Sequence, residues 1–428
     1  MLISRADSAS LPSYRAAVFL CKMRSKDILL LLLAGVLTAY YVYIPIPDEI
    51  EEKWKLMITD CFFRSLIHLA EFSDLLGLKD YMWVMMLITV LERTVPVSDK
   101  HVRVTEEVFD GVQVIVYEPS QQGGDGELRR AVIYLHGGGW CLGSAMMGPY
   151  DLLSRQTVQE LNAVVVSVEY RLAPPHHFPI PFLDVYRGVK HFFQGAVLAR
   201  YRVDARRVAV SGDSAGGNLA AAIAQQLQQD AEQSVQLKAQ ALLYPVMQAL
   251  DLNTPSYQQN EHMPILPKKL MVRFWSEYFT SDRTLLHAML ANSHNSLQSG
   301  RMLKYVNWTV LLPESFHGPY NYSAPPLANR GPSYMGTALT DPRASPLLVP
   351  DTALRALPKA YVLTSEYDVL RDDGVMYVTR LRQAGVDVTH QHYTSGFHGA
   401  FMFTVWPTDF QIGRRMVWNY IHWLKENL

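Results

Sequence analysis

The chain has 428 residues, 49% of them hydrophobic, and a formal net charge of −1. That balance excludes a disordered chain, an acidic tail and a basic nucleic-acid surface, and the length suffices for one large folded domain. Three cysteines, with no Cys-x-x-Cys and no His-Glu-x-x-His, give neither a disulfide framework nor a metal motif.

The first 27 residues carry Arg5, Arg15, Lys22, Arg24 and Lys26, and residues 28–44 then run without a charge. As a helix these 17 residues span about 26 Å, close to the apolar thickness of a thin bilayer. Tyr40, Tyr41 and Tyr43 suit an interface, Pro45 and Pro47 end the helix, and Asp48, Glu49, Glu51 and Glu52 follow. Basic residues before the span and acids after it predict a cytosolic segment 1–27, a signal anchor 28–44 and a translocated body. The shortness of the span leaves a cleaved signal peptide as the rival reading, although no clean small-x-small site follows it. Met23 is an alternative initiator.

Residues 48–98 read as amphipathic helices, with Trp54, Leu56, Ile58, Phe62, Phe63, Leu66 and Leu69 at helical spacing. Core packing is one reading; a flap over an apolar pocket that touches the membrane is the other. From residue 99 onward strands and helices alternate. Residues 112–117 and 131–135 flank a turn-rich stretch and read as a hairpin. Helices over 151–162 and 183–199 precede strands at 163–168 and 208–210. A third helix follows Asn218 and leads to the strand 240–244. Later come a strand at 360–363, a helix over 374–383, a strand at 388–392 and a terminal helix. This is an α/β pattern, a mostly parallel sheet covered on both faces. Residues 246–350, rich in Pro, Ser, Asn and aromatics, interrupt it and read as a lid insertion acting with the N-terminal helices. They carry two glycosylation sequons, Asn307-Trp-Thr309 and Asn321-Tyr-Ser323.

Chemistry concentrates at Gly212-Asp213-Ser214-Ala215-Gly216, between an apolar strand and a helix. Gly-x-Ser-x-Gly there is a nucleophile elbow: the glycines remove side chains that would clash as the chain reverses, and the turn lifts the serine hydroxyl above the sheet. A serine needs a histidine base, and the histidine a carboxylate to orient it. The fold places these in the order Ser, acid, His. Asp368 closes the strand at 360–363, and His398 follows the strand at 388–392 between Gly396 and Gly399, a setting that reads as a mobile, exposed loop. The competing groups have plainer readings. Glu366, Asp372 and Asp373 read as helix caps or surface charges, His390 and His392 as strand-face residues, and His176 and His177 as loop residues. Upstream, His136-Gly137-Gly138-Gly139-Trp140 follows a strand, and its consecutive glycines let backbone N–H groups converge with that of Ala215 on an oxyanion. His136 itself reads as a loop holder.

These motifs, together with Tyr170-Arg-Leu-Ala-Pro174 and Asp368-Val-Leu-Arg-Asp-Asp-Gly374, resemble the hormone-sensitive-lipase branch of the α/β-hydrolases. Tyr43-Ile-Pro-Ile-Pro47, residues 271–279 and the C-terminal Trp423-Leu-Lys-Glu-Asn-Leu428 are similar to its arylacetamide deacetylase group. The resemblance covers the chain from about Met23 onward. It implies a single-pass type II protein of the endoplasmic reticulum membrane with a luminal catalytic domain. The implied activity is hydrolysis of small-acyl esters and aryl amides without metal or organic cofactor, with neutral lipid esters as the alternative. Matching residues imply Ser214 as nucleophile, Asp368 and His398 as its partners, and Gly137, Gly138 and Ala215 as oxyanion donors. Asn307 falls where the group carries a glycosylated sequon. The group pairs the cysteine at position 141 with one at the position of Ser365, so here Cys141 is expected to be free or paired with Cys61. Loss of the catalytic residues would turn the same fold into a binding module, but the triad is complete.

Overall fold

Val164, Val166 and Val168 belong to one apolar layer and Ala163 and Val165 to another, so this strand is buried on both sides. The computed structural model describes residues 25–121, 127–232, 235–328 and 338–428. The chain opens with the exposed apolar helix α1 (Ser25–Val42), then α2 (Lys53–Leu75), α3 (Tyr81–Met85) and α4 (Leu87–Glu92). The body follows as β1 (Val102–Phe109), β2 (Val112–Pro119), β3 (Arg129–Leu135), α5 (Gly148–Leu161), β4 (Ala163–Glu169), α6 (Ile180–Phe192), α7 (Gly195–Arg200), β5 (Val203–Asp213), α8 (Ala215–Gln229) and β6 (Ala239–Leu243). Then come α9 (Pro255–Gln259), α10 (Lys268–Phe279), α11 (Arg283–Leu290), α12 (Trp308–Leu311) and α13 (Asp351–Leu354), with the two-residue strands β7 (Asn295–Ser296) and β8 (Leu327–Ala328) paired to each other. β9 (Lys359–Tyr367), α14 (Arg371–Gln383), β10 (Val388–Phe397) and α15 (Gln411–Asn427) complete the chain.

The main sheet has eight strands in the order β1-β2-β4-β3-β5-β6-β9-β10. β1 and β2 are antiparallel to their neighbours, and the remaining pairs are parallel. α6, α8 and α14 cover one face, and α5 and α15 the other. The hairpin expected between residues 112–117 and 131–135 does not form: β2 pairs with β1 and β4, and β3 with β4 and β5. The hairpin is β1–β2, closed by Asp110 and Gly111, both with positive φ. Asp-Gly is the sequence signal for that two-residue turn. The helix expected over 183–199 is two, α6 and α7, separated at Phe193 and Gln194.

Between β6 and β9 the chain folds against the N-terminal helices. Lys269 pairs with Glu71 (2.6 Å) and Arg283 with Asp74 (2.6 Å). Asp60, on the inner side of α2, accepts from the Ile265 N–H. The other edge of this cover is held by the Gly143 N–H, which donates to Thr89 Oγ1 in α4 (2.8 Å).

Candidate active site

Four strands of the sheet end at a residue that the sequence singled out. His136 follows β3, Ser214 follows β5, Asp368 follows β9 and His398 follows β10. All sit at carboxyl ends of parallel strands, where α/β sheets build their sites. Ser214 has φ 54° and ψ −117°, a strained backbone for a non-glycine residue, costing about 1–3 kcal/mol. The turn closes only because its flanks lack side chains. A Cβ on Gly212 would stand 2.4 Å from the Gly216 carbonyl carbon, and one on Gly216 would stand 2.0 Å from the Leu135 carbonyl oxygen. Asn218, one turn into α8, donates to the carbonyls of Val246 and Ala344 (both 2.8 Å), tying the elbow to the segment after β6.

His398 Nε2 lies 3.1 Å from Ser214 Oγ and its Nδ1 lies 2.8 Å from Asp368 Oδ2. A carboxylate only accepts, so Nδ1–H donates to Asp368 and leaves Nε2 free to receive the serine proton. The other Asp368 oxygen accepts the Leu370 N–H (2.8 Å), which fixes the carboxylate plane. His398 does not stand on the mobile, exposed loop expected from its glycines. β10 continues to Phe397, and His398 is 8% exposed. Gly396 is required by packing, since a Cβ there would approach Ser365 Oγ to 2.8 Å. A base buried against the sheet holds its aim without paying entropy on each turnover.

Asp372 and Asp373, read from sequence as caps or surface charges, are fully buried. Asp372 accepts the Ser256 N–H (2.6 Å) and Arg371 Nε (2.9 Å); Asp373 accepts the Met247 N–H (2.9 Å) and Gln248 Nε2 (3.0 Å). Their work is to dock the chain after β6 onto α14. Burial raises the Asp373 carboxyl to about 7. Glu366 bonds Arg371 and His392, His390 and His392 both meet Thr364 Oγ1, and the ring of His177 is held by the Glu277 carbonyl and Ser281.

The glycine loop corrects one assignment. The Gly137 N–H donates to Tyr150 Oη (2.9 Å), so it is not available to an oxyanion. Gly138 and Gly139 both have positive φ, and their N–H groups have no protein acceptor among the described residues. Ala215, the first residue of α8, presents another free N–H. A Cβ on Gly138 would lie 2.2 Å from the Leu142 carbonyl oxygen, and one on Gly139 2.3 Å from the Phe274 ring. His136 stacks on Tyr170 at 4.2 Å, and its Nδ1 is 2.8 Å from the Gly137 carbonyl, the loop-holding role read from sequence.

Beneath this loop lies a buried cluster that sequence reading missed. Asp213 accepts from Tyr134 (3.1 Å) and from Tyr150 (3.3 Å), joining the elbow to the loop and to α5. Burial lifts the Asp213 carboxyl from 3.8 to about 6, against the pull of both hydroxyls. A carboxyl raised on folding contributes stability that is complete below its unfolded value and is lost as pH rises through the folded one. Here the loss runs from pH 3.8 to about 6 and amounts to about 3 kcal/mol. Asp213→Asn stays neutral but cannot accept from both tyrosines. Its melting temperature is expected below the wild type's near pH 4.5 and close to it, or above, near pH 8. Equal gaps at the two pH values would sink this account.

Ser214 and His398 open on a cavity of about 160 Å³. Its walls are Phe63, Met85 and Ile88 from the N-terminal helices, Ile265, Leu270 and Phe274 from the segment after β6, and Met402 and Phe403. Besides Asp213, the lining holds the carboxyl of Glu92, whose pKa burial pushes up. A larger cavity of about 740 Å³ lies on the far side of α3, against Cys141 and Tyr170. It contains neither Ser214 nor His398 and so is not where the chemistry is set up. Cys61 and Cys141 are free thiols, while Cys21 lies outside the described residues. No cluster of His, Cys, Asp and Glu suited to a metal ion occurs among the described residues.

A family profile described as the alpha/beta hydrolase fold matches residues 132–307 and 329–402. The arylacetamide deacetylase of Oryctolagus cuniculus is 50% identical over 404 residues, 93% of this chain and 99% of that protein. Neutral cholesterol ester hydrolase 1 of Mus musculus is 47% identical over 410 residues, 95% of this chain and 100% of its own. A hyperthermophilic esterase from Pyrobaculum calidifontis has a similar structure, with a TM-score of 0.57 at 29% identity over 81% of this chain and 91% of that one. A thermostable esterase from Pseudomonas putida ECU1011 gives a TM-score of 0.60 at 25% identity, covering 85% and 97%. Sheet order, the residues at its strand ends and these likenesses agree: the chain belongs to the α/β-hydrolase family, in the group of carboxylic ester hydrolases that includes the arylacetamide deacetylases.

Proposed function

We propose that this chain is a membrane-anchored serine esterase and amidase that removes small acyl groups from aryl esters and aryl acetamides. The observation that carries the reading is the continuous relay from Asp368 through His398 to Ser214, opening on a small apolar cavity. Ser214 Oγ attacks the acyl carbon as His398 Nε2 takes its proton. The N–H groups of Gly138, Gly139 and Ala215 receive the oxyanion, each worth about 2.7–4 kcal/mol of transition-state stabilisation. His398 then protonates the leaving alcohol or amine, and water repeats the sequence on the acyl-enzyme. Asp368 keeps the imidazole in the working tautomer and stabilises its charged form.

A cavity of about 160 Å³ is smaller than the roughly 300–1,000 Å³ sites that enclose drug-sized ligands, which favours a short acyl group. The helix α1, 18 residues long and without a buried residue, supports the anchor. Asn321 is exposed and Asn307 partly so, which supports a luminal body open to glycosylation. Neutral lipid esters form the second reading, favoured by the 47% identity to a neutral cholesterol ester hydrolase.

Membranes from cells expressing the chain, supplied with a short-acyl aryl ester, an aryl acetamide and a long-chain acylglycerol, separate the two. Preferential turnover of the acetamide and the short ester is expected. Dominant turnover of the acylglycerol would replace this reading by the lipid one. Endoglycosidase treatment of the same membranes reports whether the body was translocated.

A further inference from the structure

The long helix α2 is apolar on the side it turns to solvent as well as in its core. Its inward positions are Leu56, Thr59, Asp60, Leu66, Ala70 and Ser73, whereas Trp54, Ile58, Phe62, Leu69 and Phe72 form a row along its outer side. These five recur at spacings of three, four or seven residues, and each is at least half exposed. Only Ser65 interrupts the row. The row spans about 27 Å at 1.5 Å per residue. A helix facing water turns its polar side outward, and single exposed apolar residues are ordinary, but a row of five along one helix is not.

The occupant follows from the neighbouring helix. The end of α1 is fastened to α2: Tyr41 Oη is 3.0 Å from His68 Nδ1 and 3.3 Å from Ser65 Oγ, and the Arg64 guanidinium lies 5.0 Å from the Tyr41 ring. The outer row of α2 therefore passes beside the end of the apolar span, at Ser65 and His68. Trp83 of α3 is exposed beyond it, with the Lys79 amine 4.8 Å from its ring. That amphipathic pairing suits a headgroup region. The cations beside the row are already matched: Lys53 by Asp48, Lys269 by Glu71 and Arg283 by Asp74. Attraction to anionic headgroups is thus not the driving term; apolar burial is. The same helix reaches the reaction cavity on its other side through Phe63.

We propose that α2 lies in the interface of the bilayer that α1 spans, with Trp54, Ile58, Phe62, Leu69 and Phe72 in the acyl region. In this position it forms the entry for apolar esters dissolved in the membrane. The proposal rests on the reading of α1 as an anchor. Its surface needs only zwitterionic lipid.

The full chain reconstituted in phosphatidylcholine vesicles with brominated acyl chains tests it. The Trp54 contribution, obtained by difference from Trp54→Phe, is expected to be quenched by the bromines and to stay quenched at high salt. A chain that floats with the vesicles and resists carbonate but leaves Trp54 unquenched overturns the interfacial helix while sparing the anchor. A chain that does not float overturns both. In parallel, Phe62→Ser/Leu69→Ser/Phe72→Ser is expected to hydrolyse a water-soluble short-acyl ester within about twofold of wild type and a bilayer-dissolved ester about tenfold or more slowly. Equal rates on the membrane-dissolved ester would overturn the entry route. If the triple variant loses both activities it has misfolded, and the Trp54 quenching decides.

Discussion

Ser214→Ala is expected to lower kcat on every ester and amide the protein hydrolyses by about a million-fold, with little change in KM or melting temperature. The hydroxyl is the group that His398 faces at 3.1 Å, where both open on the cavity. Removing it takes away the attacking atom while leaving substrate contacts and oxyanion donors in place, so binding persists without chemistry. The backbone strain at position 214 is the same for alanine, and the lost hydrogen bond costs only about 1 kcal/mol. Steady-state rates on a short-acyl aryl ester, with thermal unfolding of the same preparation, make the measurement. In the wild type, rapid mixing with that ester should leave an acyl group on Ser214 detectable by mass spectrometry. Turnover surviving the substitution would remove Ser214 from the mechanism.

Gly216→Ala is expected to abolish folding of the catalytic body. The added methyl would sit 2.0 Å from the Leu135 carbonyl oxygen and 2.6 Å from that of His136, both backbone atoms. No rotamer change relieves such a contact; β3 and α8 must part. Overpacking in a well-filled core costs about 1–3 kcal/mol even where side chains can move, and whole-protein stability is only about 5–15 kcal/mol. The displaced residues also carry the glycine loop, so any folded fraction would lack its oxyanion donors. Gly195→Ala is the control. That residue is exposed at the start of α7 with nothing within 4 Å of its Cβ position, and the change is expected to be neutral or to stabilise by up to about 1 kcal/mol. Circular-dichroism melting and protease resistance compare the two. A Gly216→Ala protein that melts with the wild type would refute the packing account of the elbow.

The features legible in the sequence are those whose physics is local. Gly212 and Gly216 flank Ser214 because a reversal of five residues leaves no room for Cβ atoms, and that constraint is written in five letters. The strand at 163–168 shows as a run rich in β-branched residues, because a parallel strand buried on both faces needs apolar residues on both. The chain order of Ser214, Asp368 and His398 follows once the sheet is recognised, since each residue ends a strand. The charge-free run at 28–44 needs only its own length and flanks.

Tertiary structure decided what depends on competition between distant partners. Gly137 and Gly138 are equivalent in sequence, yet Tyr150 arrives from α5 and takes the Gly137 N–H, leaving the loop's free donors at Gly138 and Gly139. Asp372 and Asp373 stand where caps stand, but their burial is set by Ser256 and Met247, more than a hundred residues away. His398 lies between glycines that suggest a loop, and the packing of β10 on β9 buries it instead. α2 has apolar residues on both sides at helical spacing, so periodicity alone could not say which row meets the core; the placement of α1, the segment after β6 and the Phe403–Phe410 stretch turned the Trp54–Phe72 row outward. Backbone geometry and residue pattern act over a few positions and survive in any context, whereas burial and hydrogen-bond allocation belong to whichever groups the completed fold brings together.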